Sequence, residues 1–141
     1  HGPDVQSVLS HINITTAALV VPTTLMHVHT VNMEVNTDCT AEDIKKIFSS
    51  QSRIRFVGNG ITSTAEIIEV ARDLGRPRND MWENCVWSDS ITINEGELYF
   101  FQAIHQESIV VPENVDAIRA MMELESDGAK SILKTNKALG L

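Results

Sequence analysis

The sequence has 141 residues, enough for one domain with its own core but too few for two domains of usual size. Hydrophobic residues make up 43% and charged residues 21%, which excludes a chain that is disordered throughout. Eleven Lys and Arg against nineteen Asp and Glu give a formal charge of −8, which argues against a nucleic-acid partner. No apolar run approaches the roughly 20 residues that cross a bilayer, so no membrane partner is expected.

Cysteine content and the first residues bear on location. Two cysteines, Cys39 and Cys85, allow at most one bridge, which is typical of proteins from a reducing compartment. The first residues lack the basic and apolar regions of a secretory signal. Together these features predict a cytoplasmic protein.

The first third of the chain predicts two strands and a helix. An apolar run inside residues 12–21 favours a strand that is buried on both faces. Alternation over residues 25–35 favours a second strand. Thr40 and Asp43 resemble a capping box, so a helix is expected from there to Phe48.

The remaining sequence predicts a strand, a helix, a short strand, a hairpin and a helical stretch in two pieces. These fall at residues 54–57, 63–74, 84–87, 90–94 paired with 97–105, and from Pro112 onward with a break at 127–128. Strands and helices alternate irregularly. We therefore predict an α+β fold in a single domain, residues 1–141, whose mixed and largely antiparallel sheet carries helices on one face.

Two histidines in the second predicted strand are candidates for chemistry. His27 and His29 lie two residues apart, which places both imidazoles on one face about 7 Å apart along the backbone. They could pack or hydrogen-bond as ordinary core residues, act as acids or bases, or share a metal with His1, His11 or His105. No carboxylate or cysteine accompanies the pair, so no metal site is predicted.

Four polar residues at positions 105–108 follow the last apolar strand. They mark either an exit to solvent or a site at a strand end. Ser108, His105 and Glu107 have the residue types of a catalytic triad. If they continue the strand, neighbouring side chains face opposite sides, so we do not expect a hydrogen-bonded chain among them.

Six strings in this sequence, in this order, closely resemble the C-terminal portion of archaeal (type II) glyceraldehyde-3-phosphate dehydrogenase. They are HGPD at 1–4, VPTTLMHVH at 21–29, TSTAE at 62–66, GRPRND at 75–80, AIHQES at 103–108 and VPENVDAIR at 111–119. The resemblance covers essentially all 141 residues.

This resemblance implies a longer enzyme, with an N-terminal dinucleotide-binding domain and a catalytic domain built on a largely antiparallel sheet. The 141 residues would be most of that catalytic domain plus the C-terminal helices. They lack the dinucleotide-binding half and the Ser-Cys-Asn-Thr-Thr segment that carries the family's nucleophile. Neither Cys39 nor Cys85 stands in such a context, so this chain is expected to be inactive alone.

The family reaction oxidises glyceraldehyde 3-phosphate to 1,3-bisphosphoglycerate with NADP or NAD and inorganic phosphate. A cysteine thiolate attacks the aldehyde, hydride passes to the cofactor, and phosphate cleaves the thioester. The resemblance implies that His27, with His29 as the fallback, keeps the sulfur ionised and assists proton removal. It also implies that His1 and Gly2 contact the triose phosphate and that Gln106 holds the nicotinamide amide.

Two other interpretations stay open at this point. Sheets of this family associate face to face, so a dimer or tetramer is implied, and the isolated chain could be an inert oligomerisation module. The other interpretation is a small metal-dependent protein that uses His27 and His29. The preference between NADP and NAD is left open, because the ribose-reading residues lie upstream.

Overall fold

The computed structural model of the chain describes residues 2–23, 25–36 and 38–141. Within these ranges the helices are α1 (Gly2–Val8), α2 (Ala41–Ser49), α3 (Thr64–Asp73), α4 (Gln106–Met121) and α5 (Gly128–Leu139). The strands are β1 (His27–Glu34), β2 (Ile54–Val57), β3 (Asn84–Trp87), β4 (Thr92–Asn94) and β5 (Glu97–Ile104). Short 3₁₀ turns occur at Pro77–Asn79 and Ser88–Ser90.

The five strands form one mixed sheet in the order β1-β5-β3-β2, with β4 also paired to β5. β5 runs antiparallel to β1, β3 and β4, whereas β2 and β3 are parallel. The α+β class and the mixed, largely antiparallel sheet are thereby confirmed. The register places His27 opposite Ile104 and His29 opposite Gln102, so both imidazoles belong to one face of the sheet.

Helices pack on both faces of this sheet, which differs from the one-sided packing that we predicted. Cys85 and Val86 are neighbours in β3, so their side chains point to opposite faces. Ile67 of α3 joins Cys85 in one buried cluster. Ile44 of α2 joins Val86 and Phe100 in the other. The apolar stripe of each helix therefore covers a different side of the sheet.

Capping boxes explain where α2 and α3 begin. Thr40 Oγ1 accepts the Asp43 main-chain N–H at 3.3 Å, and the Asp43 carboxylate accepts the Thr40 N–H at 3.1 Å. Ser63 and Glu66 form the same reciprocal pair before α3. Each box supplies hydrogen bonds that a first helical turn lacks. The predicted starts of both helices are confirmed.

The strand predicted over residues 12–21 is wrong. That segment is irregular, and its apolar side chains Leu19 and Val20 are exposed. No described strand pairs with it, and an apolar run without a pairing strand cannot satisfy its backbone groups as a sheet. The next strand begins at His27 rather than Leu25, because Met26 has a left-handed φ of 78°.

The first C-terminal helix begins six residues earlier than predicted. α4 starts at Gln106, and Pro112 lies inside it rather than at its first turn. The His105 carbonyl accepts the main-chain N–H groups of Ser108 and Ile109, both at 2.9 Å, which closes the first turn. The polar residues 105–108 therefore turn into a helix instead of extending β5.

α4 packs on α5 through polar side chains. The Asp116 carboxylate accepts hydrogen bonds from Arg53, Arg119, Ser131 and Thr135, at distances of 2.5 to 2.8 Å. The side chain of Asp116 is only 15% exposed. The contact between α4 and α5 around Asp116 is therefore made by charged and hydroxyl-bearing side chains.

The exposed surface of α4 mixes apolar and charged side chains. Val110, Ile118 and Met121 are exposed, as is Met122, the residue that follows the helix. Glu107 and Glu113 are exposed as well. The helix therefore has no separate apolar side turned to solvent.

Candidate active site

A cleft of about 580 Å³ opens where β1 begins and where β5 passes into α4. Its lining is formed by Thr23, Leu25, Met26, His27, His105, Gln106, Glu107 and Val110. His27 is the first residue of β1 and lies opposite Ile104, the last residue of β5. Two residues further along the chain, Gln106 opens α4. The antiparallel pairing therefore brings the imidazole of His27 and the carboxamide of Gln106 to one cleft.

His29 occupies a different environment from His27. Its Nδ1 accepts a hydrogen bond from Gln102 Nε2 at 3.1 Å, and Gln102 Oε1 in turn accepts one from Asn84 Nδ2 at 2.6 Å. Burial lowers the pKa of His29, and the charge of His27 lowers it further. His29 is thus a neutral ring held by the sheet and absent from the cleft lining.

The two imidazoles remain close neighbours. Their ring centroids lie 6.5 Å apart with an interplanar angle of 27°, as the two-residue spacing predicts. His27 reaches the cleft and His29 does not. The geometry therefore favours His27 over the fallback residue for any chemistry in the cleft.

A second imidazole, His105, is built into the cleft wall. Its Nδ1 accepts the Met81 main-chain N–H at 3.3 Å and lies 3.0 Å from Ser108 Oγ. The Ser108 hydroxyl lies 2.7 Å from Asp80 Oδ1, to which it donates. Asp80 also accepts from Arg78 Nη2 at 2.9 Å. A chain of polar contacts thus runs from a buried carboxylate through Ser108 to an imidazole at the cleft.

This chain corrects our argument that the side chains of residues 105–108 face opposite sides and cannot meet. That argument assumed an extended backbone, whereas the first turn of α4 places Ser108 one turn from His105. The acid of the chain is Asp80, not Glu107. Sequence reasoning missed Asp80, because it lies 28 residues from Ser108 in the chain.

The loop that carries Asp80 is conformationally strained. Arg78 and Asn79 both have left-handed φ values, 57° and 58°. Left-handed conformations of non-glycine residues cost on the order of 1–3 kcal/mol each when the surroundings impose them. Burial acts to raise the pKa of Asp80, but hydrogen bonds from Ser108 and Arg78 lower it overall. Asp80 is therefore an ionised anchor behind the cleft.

Neither cysteine lines the cleft. Cys85 is fully buried on the α3 side of the sheet, and Cys39 is partly buried beside the α2 cluster. Burial and the neighbouring Glu83 carboxylate raise the pKa of the Cys85 thiol to about 12. Cys85 is therefore protonated at neutral pH and unsuited to nucleophilic attack.

Only one of the two predicted substrate contacts at the start of the chain, Gly2, lies within the described residues. His1 lies outside the described residues. Gly2 is buried in α1, where an added Cβ would lie 3.3 Å from Thr16 Oγ1. Gly2 is not among the residues that line the cleft, so its role stays a prediction.

Metal and membrane chemistry receive no support from the described part of the chain. Within residues 2–23, 25–36 and 38–141, no group of three His, Cys, Asp or Glu residues is arranged to hold a metal ion. His27 and His29 thus lack a described third ligand. In the same ranges, no helix is both long and apolar enough to span a bilayer.

A nicotinamide group fits the polar end of the cleft. Gln106 is exposed, and its carboxamide offers both a donor and an acceptor, which matches the amide of nicotinamide. The adjoining Leu25, Met26 and Val110 supply apolar surface for a flat ring. The cleft therefore suits this end of a dinucleotide.

Comparisons with known proteins identify the family of this chain. Residues 1–90 match the family model described as glyceraldehyde 3-phosphate dehydrogenase, C-terminal domain. The chain is 85% identical over 141 residues to glyceraldehyde-3-phosphate dehydrogenase 1 of Methanosarcina acetivorans. It is 83% identical to the Methanosarcina mazei enzyme over 141 residues and 57% identical to that of Methanobacterium bryantii over 143 residues.

These matches define an oxidoreductase catalytic domain of archaeal type. More specifically, the chain belongs to the glyceraldehyde-3-phosphate dehydrogenase family and corresponds to its C-terminal part. Each of the three relatives aligns with all of this chain, whereas the chain spans only 42% of each relative's length. The resemblance that the six strings carry is confirmed.

Proposed function

We propose that this chain is the catalytic-domain part of a phosphorylating glyceraldehyde-3-phosphate dehydrogenase. The full-length protein would oxidise glyceraldehyde 3-phosphate to 1,3-bisphosphoglycerate with NADP or NAD and inorganic phosphate. The observation that carries this proposal is the cleft shared by His27 and Gln106. We further propose that the 141 residues form a single domain of a cytoplasmic homo-oligomer active in glycolysis or gluconeogenesis.

His27 is the acid–base residue of this proposal. An imidazole titrates near neutral pH, so it can stabilise a thiolate and then accept the hydroxyl proton of the hemithioacetal. His27 lies at the cleft and faces the neutral His29 ring rather than a fixed cation. The imidazole of His27 can therefore contact a cleft occupant directly.

Gln106 orients the cofactor in this proposal. NADP or NAD, when bound, accepts the hydride. The first turn of α4 is fixed by the hydrogen bonds to the His105 carbonyl, so the Gln106 backbone has one position relative to β5. His1 and Gly2 are proposed, from the resemblance alone, to contact the triose phosphate.

The activity belongs to the full-length protein, because neither cysteine of this chain lies at the cleft. The isolated 141 residues are therefore expected to show no turnover. Robust dehydrogenase activity from them alone would contradict the proposed division of labour.

The test compares histidine variants of the full-length protein. We expect His27→Ala to lower kcat by about 10²–10⁴-fold, the range typical of a lost general acid or base. His29→Ala, the matched control, should lower kcat by less than about tenfold, since it removes only a neighbour of His27. NADPH or NADH formation from glyceraldehyde 3-phosphate and phosphate is the readout. No turnover by the wild type would refute the function, and a larger loss with His29→Ala would refute the choice of His27.

A further inference from the structure

The imidazole of His105 has no part in the function proposed above, yet His105 lines the same cleft as His27. The residue is 3% exposed, and both polar contacts of its ring with described residues are made by Nδ1. Its Nε2 has no hydrogen-bond partner within the described ranges. A buried imidazole normally satisfies both nitrogens, so the unpaired Nε2 is the atom available to a cleft occupant.

The contact with Met81 decides which nitrogen carries the proton. A main-chain N–H can only donate, and the Met81 N–H points at His105 Nδ1 from 3.3 Å. Met81 is fully buried, so this N–H has no access to water as an alternative acceptor. Satisfying this N–H uses the single lone pair of Nδ1, which places the proton of the neutral ring on Nε2. The Ser108 hydroxyl, whose one proton goes to Asp80, then contacts Nδ1 without a hydrogen bond.

The ring is also held from behind. Ser108 is 0% exposed, and its hydroxyl lies between His105 Nδ1 at 3.0 Å and Asp80 Oδ1 at 2.7 Å. Arg78 holds the same carboxylate by a hydrogen bond of 2.9 Å. The two residues that precede Asp80, Arg78 and Asn79, both have left-handed backbone conformations. The arrangement therefore fixes the orientation of one imidazole.

The charge of the cleft indicates which part of a substrate lies here. None of the described lining residues is Lys or Arg, and Glu107 adds a carboxylate. A cleft without a cationic lining residue binds a phosphate dianion poorly, but it can accept an uncharged carbonyl group. The cleft therefore suits the aldehyde end of a triose phosphate rather than its phosphate end.

We propose that His105 is a further catalytic residue of this cleft, whose Nε2–H donates a hydrogen bond to the aldehyde oxygen of the substrate. This inference rests on the function proposed above, which brings an aldehyde to the cleft. Ser108 and Asp80 act through His105 and are positioning residues.

The donor acts when the nucleophile attacks. A carbon–sulfur bond forms, and the π electron pair of the carbonyl moves to its oxygen, which becomes an alkoxide. The Nε2–H bond stabilises this charge without transferring its proton. The His27 imidazolium that stabilised the thiolate then gives its proton to the alkoxide oxygen, which yields the hemithioacetal hydroxyl whose proton His27 later takes back. Because the charge is larger in the transition state than in the free aldehyde, the hydrogen bond lowers the barrier more than it strengthens binding.

The kinetic experiment uses the full-length protein with glyceraldehyde 3-phosphate. His105→Ala should lower kcat by about 100-fold, the loss typical of one oxyanion donor, with KM changed less than about threefold. His105→Gln retains an N–H donor and should recover about tenfold of that loss. Ser108→Ala should lower kcat by about tenfold, because the ring loses its support. Wild-type kcat in both His105 variants would overturn the proposal.

A stability control and a second readout complete the test. Ile67→Ala empties a fully buried core site outside the cleft lining, so it should lower the melting temperature while leaving kcat unchanged. Histidine-selective ¹⁵N labelling, with His105→Gln for assignment, reports which ring nitrogen is protonated. Finding the proton on Nδ1 in the wild type would overturn the inference whether or not the enzyme oxidises the aldehyde. Absence of wild-type turnover together with a protonated Nε2 would instead refute the function and leave the tautomer assignment supported.

Discussion

Glu83 is a buried carboxylate enclosed by two guanidinium groups. It accepts hydrogen bonds from Arg76 Nη2 at 2.7 Å and from Arg55 Nε at 2.8 Å, and Arg76 lies over the Trp82 ring at 5.3 Å. Burial acts to raise the pKa of Glu83, but these hydrogen bonds and charges lower it overall. A fixed negative charge therefore stands beside Cys85.

This environment predicts that Cys85 is inert in the folded protein. With its thiol pKa raised to about 12, the fraction of thiolate at pH 8 is about one in ten thousand. We expect iodoacetamide to leave Cys85 unmodified in the native full-length protein and to alkylate it fully in denaturant, as followed by peptide mass spectrometry. Rapid native alkylation of Cys85 would contradict the buried position. Glu83→Gln, which removes the adjacent charge, is the matched variant for separating charge from burial.

At the residue scale, the sequence reveals candidates but not the partners that hold them. The Met26–His29 segment and Gln106 stand out in the sequence because of their types, their spacing and the family strings. Ser108 stands out by its type, but its contact with His105 is created by a turn of helix that alternation could not predict. Asp80 does not stand out, because it lies 28 residues from Ser108 in the chain. The structure also separates His27 from His29, which spacing alone leaves equivalent.

At the element scale, the polar packing of α4 on α5 is a source of stability that depends on one carboxylate. The Asp116 carboxylate accepts hydrogen bonds from the guanidinium groups of Arg53 and Arg119 and from two hydroxyl groups. Although burial acts to raise the pKa of Asp116, hydrogen bonds from Ser131, Thr135 and Arg53 lower it to about 2. Asp116 is therefore charged at all pH values at which the protein works.

Removal of this carboxylate should be costly. Asp116→Ala leaves two partly buried guanidinium groups without their partner, and we expect it to lower the free energy of unfolding by about 3 kcal/mol. Urea unfolding of the full-length protein, followed by tryptophan fluorescence, measures the change. Asp116→Asn keeps the size and one acceptor oxygen and should cost less. An unchanged midpoint in Asp116→Ala would show that the cluster adds no stability.

Elements were predictable where local chemistry defines them. Capping boxes place the starts of α2 and α3, and Glu95-Gly96, both with positive φ, join β4 to β5 as the hairpin pattern predicts. The failures have tertiary causes. The apolar run at residues 12–21 has no described pairing strand, and α4 begins before its proline because the preceding polar residues bond to one another.

At the scale of the whole molecule, all resolved pKa shifts of carboxyl groups are downward. Seven carboxyl groups have pKa values below their usual range, namely Asp43, Glu66, Asp80, Glu83, Glu97, Asp116 and Glu125. A lowered pKa in the folded state means that the unfolded chain binds more protons in acid. Acid therefore favours unfolding.

The predicted consequence is a loss of stability on the acid side. Between neutral pH and about pH 5 the contribution of these groups should be constant, since they are ionised in both states. It should then fall as the pH passes from the unfolded values of 3.8 to 4.5 toward the folded value of Asp116 at about 2. Urea midpoints of the full-length protein between pH 7 and pH 3 measure this decline, and Asp116→Asn should flatten it. Stability that rises steadily on acidification would contradict the prediction.

The cluster of polar side chains around Asp116, between α4 and α5, also affects the position of the cleft residue Gln106. Ten residues of helix, about 15 Å, separate Gln106 from Asp116. Apolar contacts are not directional, so helices packed through them can shift slightly along one another. The hydrogen bonds of a carboxylate shared by two guanidinium groups and two hydroxyls are directional and favour one relative position of the helices. The Asp116 cluster therefore fixes the position of α4 along its axis, and with it the position of the Gln106 carboxamide at the start of the helix. If Gln106 has the role proposed for it, loss of the Asp116 cluster would displace the side chain that orients the cofactor.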